Sequence, residues 1–381
     1  MTKIIRTATV ALSLDYLLKG QLKFLNQHYK VVAVSGFDAH LQTVEKREQI
    51  RTVPLTMQRS IKPFQDIICL WKLYRLFIKE QPQIVHSITP KAGLLSMLAA
   101  KMAGVPVRIH TFTGLIFPSK NGILKQLLIL MDKLLCWSAT NIYPEGNGVK
   151  NDLIQYRITA KPLNVLANGN VNGIDSNYFS LDSMNTKMKE ELKVKLKIKP
   201  TDFVFIFIGR LVSDKGINEL ISAFTNIKAL NAKLILVGSF EQELDPLEKS
   251  TLTEIEGNHN IIPVGFQSDV RPYLSISNCL AFPSYREGFP NVVLQAGAMG
   301  LPCIVTDING SNEIIIEGVN GKIIPPKNKI ALENAMLKMM EDVVWCNHLQ
   351  TNARNLILSR YSQEIVWEAI LKEYKRLLNY V

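Results

Sequence analysis

The chain has 381 residues, 47% apolar and 20% charged, with 44 lysines and arginines against 33 acids and a formal net charge of +11. That is ordinary globular composition, which excludes a disordered or low-complexity chain, and at about 150 residues per domain it predicts two domains. The positive balance favours anionic partners such as nucleic acid, acidic lipid surfaces or phosphorylated small molecules. No zinc spacing, RNP-like aromatic pattern or recognition-helix signature is present, so nucleic acid is set aside.

In chain order, the start I-I-R-T-A-T-V reads as a first strand rather than as a leader segment. Further strand patterns follow at V-V-A-V-S-G, I-V-H-S-I, V-R-I-H-T-F, T-N-I-Y-P-E and L-N-V-L-A-N-G. Helical patterns lie between them at residues 14–27, 63–80, 91–103, 123–138 and 148–156. Such alternation predicts βαβ units and an α/β fold, with a parallel sheet covered on both faces. Residues 182–199 are lysine-rich and polar, and read as a linker with a lead-in helix. A second alternating series then runs through F-V-F-I-F-I-G, A-K-L-I-L-V-G, N-I-I-P-V-G, N-C-L-A-F-P-S, L-P-C-I-V-T-D and G-K-I-I-P-P. The end, 362–378, reads as one amphipathic helix.

The expected organisation is therefore two Rossmann-like halves, 1–180 and 181–360, with a terminal helix at 361–381 returning toward the first half. Open α/β sheets bind ligands beyond the carboxyl ends of their strands. Two such halves facing each other make a central cleft, the expected seat of function. No apolar run reaches the roughly 18 residues that span a bilayer. Cys69, Cys136, Cys279, Cys303 and Cys346 are scattered and read as buried free thiols of a reducing compartment. A cytoplasmic protein is expected.

Two stretches carry chemistry. In F-I-G-R-L-V-S-D-K-G a buried strand ends at Gly209, Arg210 and Lys215 follow in the loop, and Gly216 opens a helix. Free amides and two cations at such a junction suit a diphosphate, although a solvated charged loop has the same look. In Y-R-E-G-F-P-N-V-V-L-Q, Gly288 permits an unusual turn and Pro290 reads as the first helical residue. The amides of Asn291, Val292 and Val293 are then expected to be free for an anion. Glu287, just outside, suits a neutral polyol, or is simply a surface acid.

Together these stretches carry a resemblance. With L-I-L-V-G, P-V-G-F-Q-S-D-V-R-P-Y-L and V-T-D-I-N-G-S-N-E-I-I, the region 203–326 resembles a retaining family 4 glycosyltransferase of the two-domain GT-B fold. V-H-S-I-T-P-K-A-G, H-T-F-T-G-L and N-V-L-A-N-G match more loosely. The branch it looks like builds surface and capsular polysaccharides. The resemblance implies that the amino-terminal half takes the acceptor and the carboxy-terminal half a nucleotide sugar. Arg210 and Lys215 would grip the donor diphosphate, so that no metal or other cofactor is needed. Glu287 would meet hydroxyls of the sugar, and the backbone from Gly288 and Phe289 to Val293 would meet sugar and phosphate. Val264, Gly265 and Phe266 would lie by the base. By family habit the donor is a UDP-sugar, the sugar a hexose or N-acetylhexosamine, and the acceptor a saccharide on a polyprenyl diphosphate.

Two positions depart from the pattern. Gln295 stands where the family carries a second glutamate for the ribose, a role an amide fills as both donor and acceptor. Thr113 stands where many relatives carry a histidine; His110 lies beside that motif without inheriting its role. On the acceptor side His86, Lys91, His110 and Thr113 are candidates, each also readable as core or solvated surface. Glu145, Asn147, Asn168 and Glu313 are weaker, as loop or helix caps. Helix 123–138 is leucine-rich with Lys120, Lys125 and Lys133 beside it, and suits either a core or peripheral contact with an anionic membrane. Two other classes share the architecture: a nucleotide-sugar 2-epimerase, and a binding protein descended from a transferase.

Overall fold

The computed structural model describes residues 1–58, 60–227, 231–241, 243 and 245–379. The chain divides into two units, Met1–Gly173 with Gln363–Val381, and Ile174–Ser362.

In the first unit six parallel strands form one sheet: β1 Lys3–Thr7, β2 Lys30–Ser35, β3 Arg51–Pro54, β4 Ile84–Ser87, β5 Val107–Phe112 and β6 Asn141–Pro144, in the order β3-β2-β1-β4-β5-β6. Side chains alternate across each strand. Ile5, Val32, Val34 and Val85 therefore join one core, while Ile4, Val31, Ala33 and Ile84 join another on the opposite face. Helix Gln363–Leu378 completes that second core with Val366, Ile370, Tyr374 and Leu377. Arg6 is fully buried beneath it, and its Nη1 donates to Gln21 Oε1 at 2.9 Å and to Tyr374 Oη at 3.1 Å.

The second unit repeats the plan. Its strands are β7 Phe203–Ile208, β8 Ala232–Val237, β9 Ile261–Gly265, β10 Cys279–Phe282, β11 Cys303–Thr306 and β12 Gly321–Ile324, all parallel, in the order β12-β11-β10-β7-β8-β9. Helices Lys329–Glu341 and Val343–Tyr361 belong to it. The five cysteines are free and buried.

Three local expectations are corrected. L-N-V-L-A-N-G is not a strand: only Leu163 bridges to Ile142, and the chain then turns through left-handed backbone at Ala167, Gly169 and Asn170. The sixth strand is instead β3 at the opposite edge of the sheet, whose R-T-V-P run is too short and polar to stand out. The single helix expected at 14–27 is two, Ala11–Leu17 and Gln21–Asn26, broken at Gly20 where the Trp367 ring packs.

Candidate active site

The order of each sheet reverses beside its first strand, and that reversal is where a crevice opens at the carboxyl ends of an open α/β sheet. In the second unit it lies between β7 and β10. The loop after β7 carries Arg210 and Lys215, and the loop after β10 carries Glu287. The two loops are locked together by backbone. Tyr285 N–H donates to Asp214 O at 2.9 Å. Gly216 adopts φ +71°, and a Cβ there would lie 2.1 Å from the carbonyl oxygen of Pro283, so only glycine fits. Gly310 is the second such contact: a Cβ there would sit 2.4 Å from Gly288 O and 2.7 Å from Phe289 Cα. It presses the loop that follows β11 against the E-G-F-P turn.

Across this junction Lys215 Nζ donates to Glu287 Oε1 at 2.5 Å, with the two side chains 15% and 16% exposed. Ser284 Oγ donates to the same oxygen at 2.8 Å. Arg210 is more open, and its Nη1 pairs with Glu241 Oε2 at 2.9 Å; that hydrogen bond raises the guanidinium's already high pKa. Arg286 approaches Asp214 at 3.6 Å. The site thus holds its cations on carboxylates of its own, groups whose place the oxygens of a phosphate could take, since phosphate too forms charge-assisted hydrogen bonds with lysine and arginine.

Helix Asn291–Ala298 begins one residue later than expected. Pro290 is its N-cap, with φ −72° and ψ 106°. Val293 N–H consequently bonds back to Pro290 O at 3.1 Å, so one of the three amides expected to be free is used. The Phe289 ring is buried and meets Tyr361 edge-on at 5.5 Å; its backbone, not its side chain, faces the loop surface that Gly310 touches. Val292 and Gln295 are half-buried, and the Gln295 side-chain amide makes no hydrogen bond among the described residues. At the end of β9, the register shifts opposite Val237, which pairs with Gly265 and leaves Val264 out of the ladder. Gly209 and Gly238 stand at the neighbouring strand ends, Gly209 N–H bonding Val237 O and Gly238 N–H bonding Gly265 O, both at 2.9 Å. Phe266 follows, 69% exposed.

The first-unit candidates fall differently. His86 lies inside β4, fully enclosed, with Nδ1 2.6 Å from Tyr374 Oη and Nε2 2.8 Å from Thr111 Oγ1. Burial, aided by the nearby Arg6, keeps it neutral. His110 is equally buried, 2.8 Å from Ser87 Oγ, and burial pushes its pKa down to about 3. Both are core residues here, because strand register turns them inward. Lys91 is also buried, paired with Asp66 at 2.5 Å, and Thr113 Oγ1 donates to Ile88 O at 3.2 Å. Glu145 follows β6, buried, and the Glu313 carbonyl accepts from Tyr361 Oη and Arg360 Nη2. Lys91 lines a small pocket with Phe112, Gly114, Leu128, Met131 and Asp132. Sequence reading passed over Asp132, an acid within a leucine-rich helix. Burial raises its pKa to about 7. An acid amid leucines with no basic residue three or four positions away was the available signal.

Comparison with known proteins agrees with the geometry. Residues 188–356 match the family described as Glycosyl transferases group 1, and residues 9–145 the family described as Glycosyl transferase 4-like. The chain is similar to the capsular polysaccharide biosynthesis glycosyltransferase CapM of Staphylococcus aureus, with 32% identity covering 99% of this chain and 97% of CapM. It is also similar to the UDP-Gal:alpha-D-GlcNAc-diphosphoundecaprenol alpha-1,3-galactosyltransferase of Escherichia coli, 28% identical over 91% of each chain. Among solved structures, Anabaena HepE in complex with UDP-glucose superposes with a TM-score of 0.83 at 19% identity, covering 99% of this chain and 100% of HepE, a likeness of fold. With two Rossmann-like units and a relative of this identity over nearly its whole length, the chain belongs to the family 4 glycosyltransferases of GT-B fold.

Proposed function

We propose that this glycosyltransferase acts in capsular or surface polysaccharide biosynthesis, moving a sugar from a UDP-sugar to a saccharide carried on a polyprenyl diphosphate, with retention of anomeric configuration. The observation that carries the reading is the Lys215–Glu287 pair beside Arg210 at the β7/β10 reversal. The names of the Staphylococcus and Escherichia relatives support the pathway class and the lipid-linked acceptor.

In this reading the donor diphosphate takes Lys215 from Glu287 and Arg210 from Glu241. Glu287, released, accepts hydrogen bonds from the sugar hydroxyls, and Gln295 serves the ribose. The bond from the anomeric carbon to the phosphate oxygen breaks as the bond to the acceptor oxygen forms on the same face. The acceptor proton passes to the departing phosphate oxygen. Catalysis rests on positioning and on the two cations that meet the growing charge, without a metal. His86 and His110, being enclosed, take no part; Asp132 and Lys91 are the polar groups of the first-unit pocket offered to an acceptor.

The protein works as a peripheral protein on the cytoplasmic face of the membrane that carries its acceptor. No helix among the described residues is long and apolar enough to cross a bilayer. Helix Gly122–Ser138 leaves Ile123, Leu124, Leu130 and Trp137 exposed, Ile123 by 90%. Such a face suits the headgroup boundary.

The test is nucleotide release from a panel of nucleotide sugars, with and without a lipid extract containing polyprenyl-linked saccharides. Release of UDP that requires the extract, with sugar appearing in the lipid fraction in the donor's anomeric form, is expected. An epimerised donor, or binding without turnover, would overturn the reading.

A further inference from the structure

Helix Gly122–Ser138 carries a single acid on its inner face. Asp132 follows Leu128 by four residues and precedes Leu135 and Cys136 by three and four, so it shares a side of the helix with them. Leu135 and Cys136 are buried in the core. The Asp132 carboxyl makes no hydrogen bond or ion pair among the described residues, and burial raises its pKa to about 7. A carboxyl in such surroundings is costly until a donor reaches it.

It lines the small pocket with Lys91, Leu94, Phe112, Gly114 and Leu128. Helix Pro90–Met102 follows β4, and Gly114 comes just after β5. The pocket therefore stands at the carboxyl ends of those two strands, where open α/β sheets take ligands. Its volume is about 70 Å³. A water-sized atom takes roughly 10–30 Å³, so the space suits a few heavy atoms: one substituent of a sugar, not the ring.

The lining chooses among substituents. A carboxylate or phosphate would meet the acid of Asp132, and Lys91, the cation of this pocket, already pairs with Asp66 at 2.5 Å. A methyl group would leave Asp132 without a donor. A hydroxymethyl group would supply the donor but little apolar surface for Leu94, Phe112 and Leu128. An acetamido group meets every wall. Its N–H suits the carboxylate, and its carbonyl suits an ammonium that has N–H groups beyond the one given to Asp66. Its methyl suits the aliphatic and aromatic side. An N–H donor also favours the ionised form of the acid.

We infer that this pocket receives the acetamido group of the acceptor sugar, with Asp132 accepting its N–H, Lys91 donating to its carbonyl, and Leu94, Phe112 and Leu128 enclosing its methyl. The receiving saccharide thus ends in an N-acetylated amino sugar, and Asp132 is the residue that selects it. The inference rests on the proposed transfer to a polyprenyl-linked saccharide and deepens it, by naming the class of sugar at the receiving end.

The test uses the full chain and farnesyl diphosphate carrying N-acetylglucosamine, N-acetylgalactosamine, glucose or galactose, with the UDP-sugar that the donor panel selects. For each acceptor kcat/KM is measured, and binding without donor is measured by titration calorimetry. Wild type is expected to favour the better N-acetylated acceptor over its hydroxyl counterpart by about 10–100-fold, the worth of a hydrogen bond to a charged group. Asp132→Leu is expected to bring that ratio close to one. Leu128→Phe, which takes up pocket volume, is expected to lower it as well. Asp132→Asn keeps a carbonyl oxygen for the N–H and is expected to retain most of the preference. A preference that survives both Asp132→Leu and Leu128→Phe would overturn the inference. So would a fall of equal size on all four acceptors, which marks a merely structural role, or a wild type without preference. A wild type that transfers to none of the four fails the proposed function instead. The pocket is then judged by calorimetry: an N-acetyl preference that Asp132→Leu removes supports it, and the lack of one overturns it.

Discussion

Replacing Lys215 by alanine removes the more enclosed of the two cations at the β7/β10 reversal. A unit charge about 4 Å from a phosphate oxygen is worth about 4 kcal/mol at an effective dielectric near 20. The side chain is 15% exposed, so some solvent screening applies, and about 3 kcal/mol of transition-state stabilisation is lost, roughly a hundredfold in kcat/KM. The folded state loses much less. Glu287 keeps the hydroxyl of Ser284 at 2.8 Å and can turn to water, so the stability loss is about 1 kcal/mol. The assay is acceptor-dependent UDP release, run beside a thermal melt. In a double-mutant cycle with Glu287→Gln the two losses are expected to be non-additive, because the residues share one hydrogen-bond network. A Lys215→Ala enzyme with kcat/KM within about threefold of wild type and an unchanged melt would refute the reasoning, since the cation would then make no contact special to the transition state.

Arg210→Ala is expected to cut turnover similarly while leaving the melt closer to wild type, because its pair with Glu241 is more open to solvent than the Lys215 pair; calorimetry and the release assay check both. Gln295→Ala is expected to weaken UDP binding by about tenfold, the worth of one hydrogen bond to a neutral group, whereas Gln295→Glu binds near wild type; titration calorimetry decides, and equal loss in both removes the ribose assignment. Gly216→Ala forces a Cβ to 2.1 Å from Pro283 O at φ +71°, costing about 1–3 kcal/mol, and is read as a lowered denaturant midpoint. His110 is neutral in the fold, its pKa pushed down to about 3. Unfolded, it takes up a proton near pH 6.5, so its contribution is complete above that pH and falls by about 1.4 kcal/mol per unit as pH drops toward 3. Urea melts from pH 7 to pH 5 are expected to show a shallower loss in His110→Gln than in wild type, with His86 keeping the remaining slope.

The second unit's strands were legible because strands buried on both faces read as unbroken apolar runs, as in F-V-F-I-F-I. The same rule failed for R-T-V-P in β3, an edge strand with one paired side, and was misled by L-N-V-L, an apolar run that turns instead of pairing. Arg210, Lys215 and Glu287 were visible as residue types in particular loops. Their pairing was not, because Lys215 and Glu287 are 72 residues apart and meet only where sheet order sets β7 beside β10.

The sequence by itself determined the fold class, the two alternating series and the loops that carry charge, since periodicity and Gly/Pro punctuation are local properties. Tertiary structure decided which polar groups are available. His86 at a strand end is readable either as an acceptor contact or as core, and the fold makes it core: its ring lies between Thr111 and Tyr374, the latter 288 residues along the chain. Asp132 gives no sign in the sequence of its surroundings, yet burial raises its pKa. Lys72, Arg75 and Lys79 share one wall of a groove only because the fold sets β3 beside their helix. Solvation and partnership depend on what distant strands and helices bring alongside, and no local window of sequence contains that information.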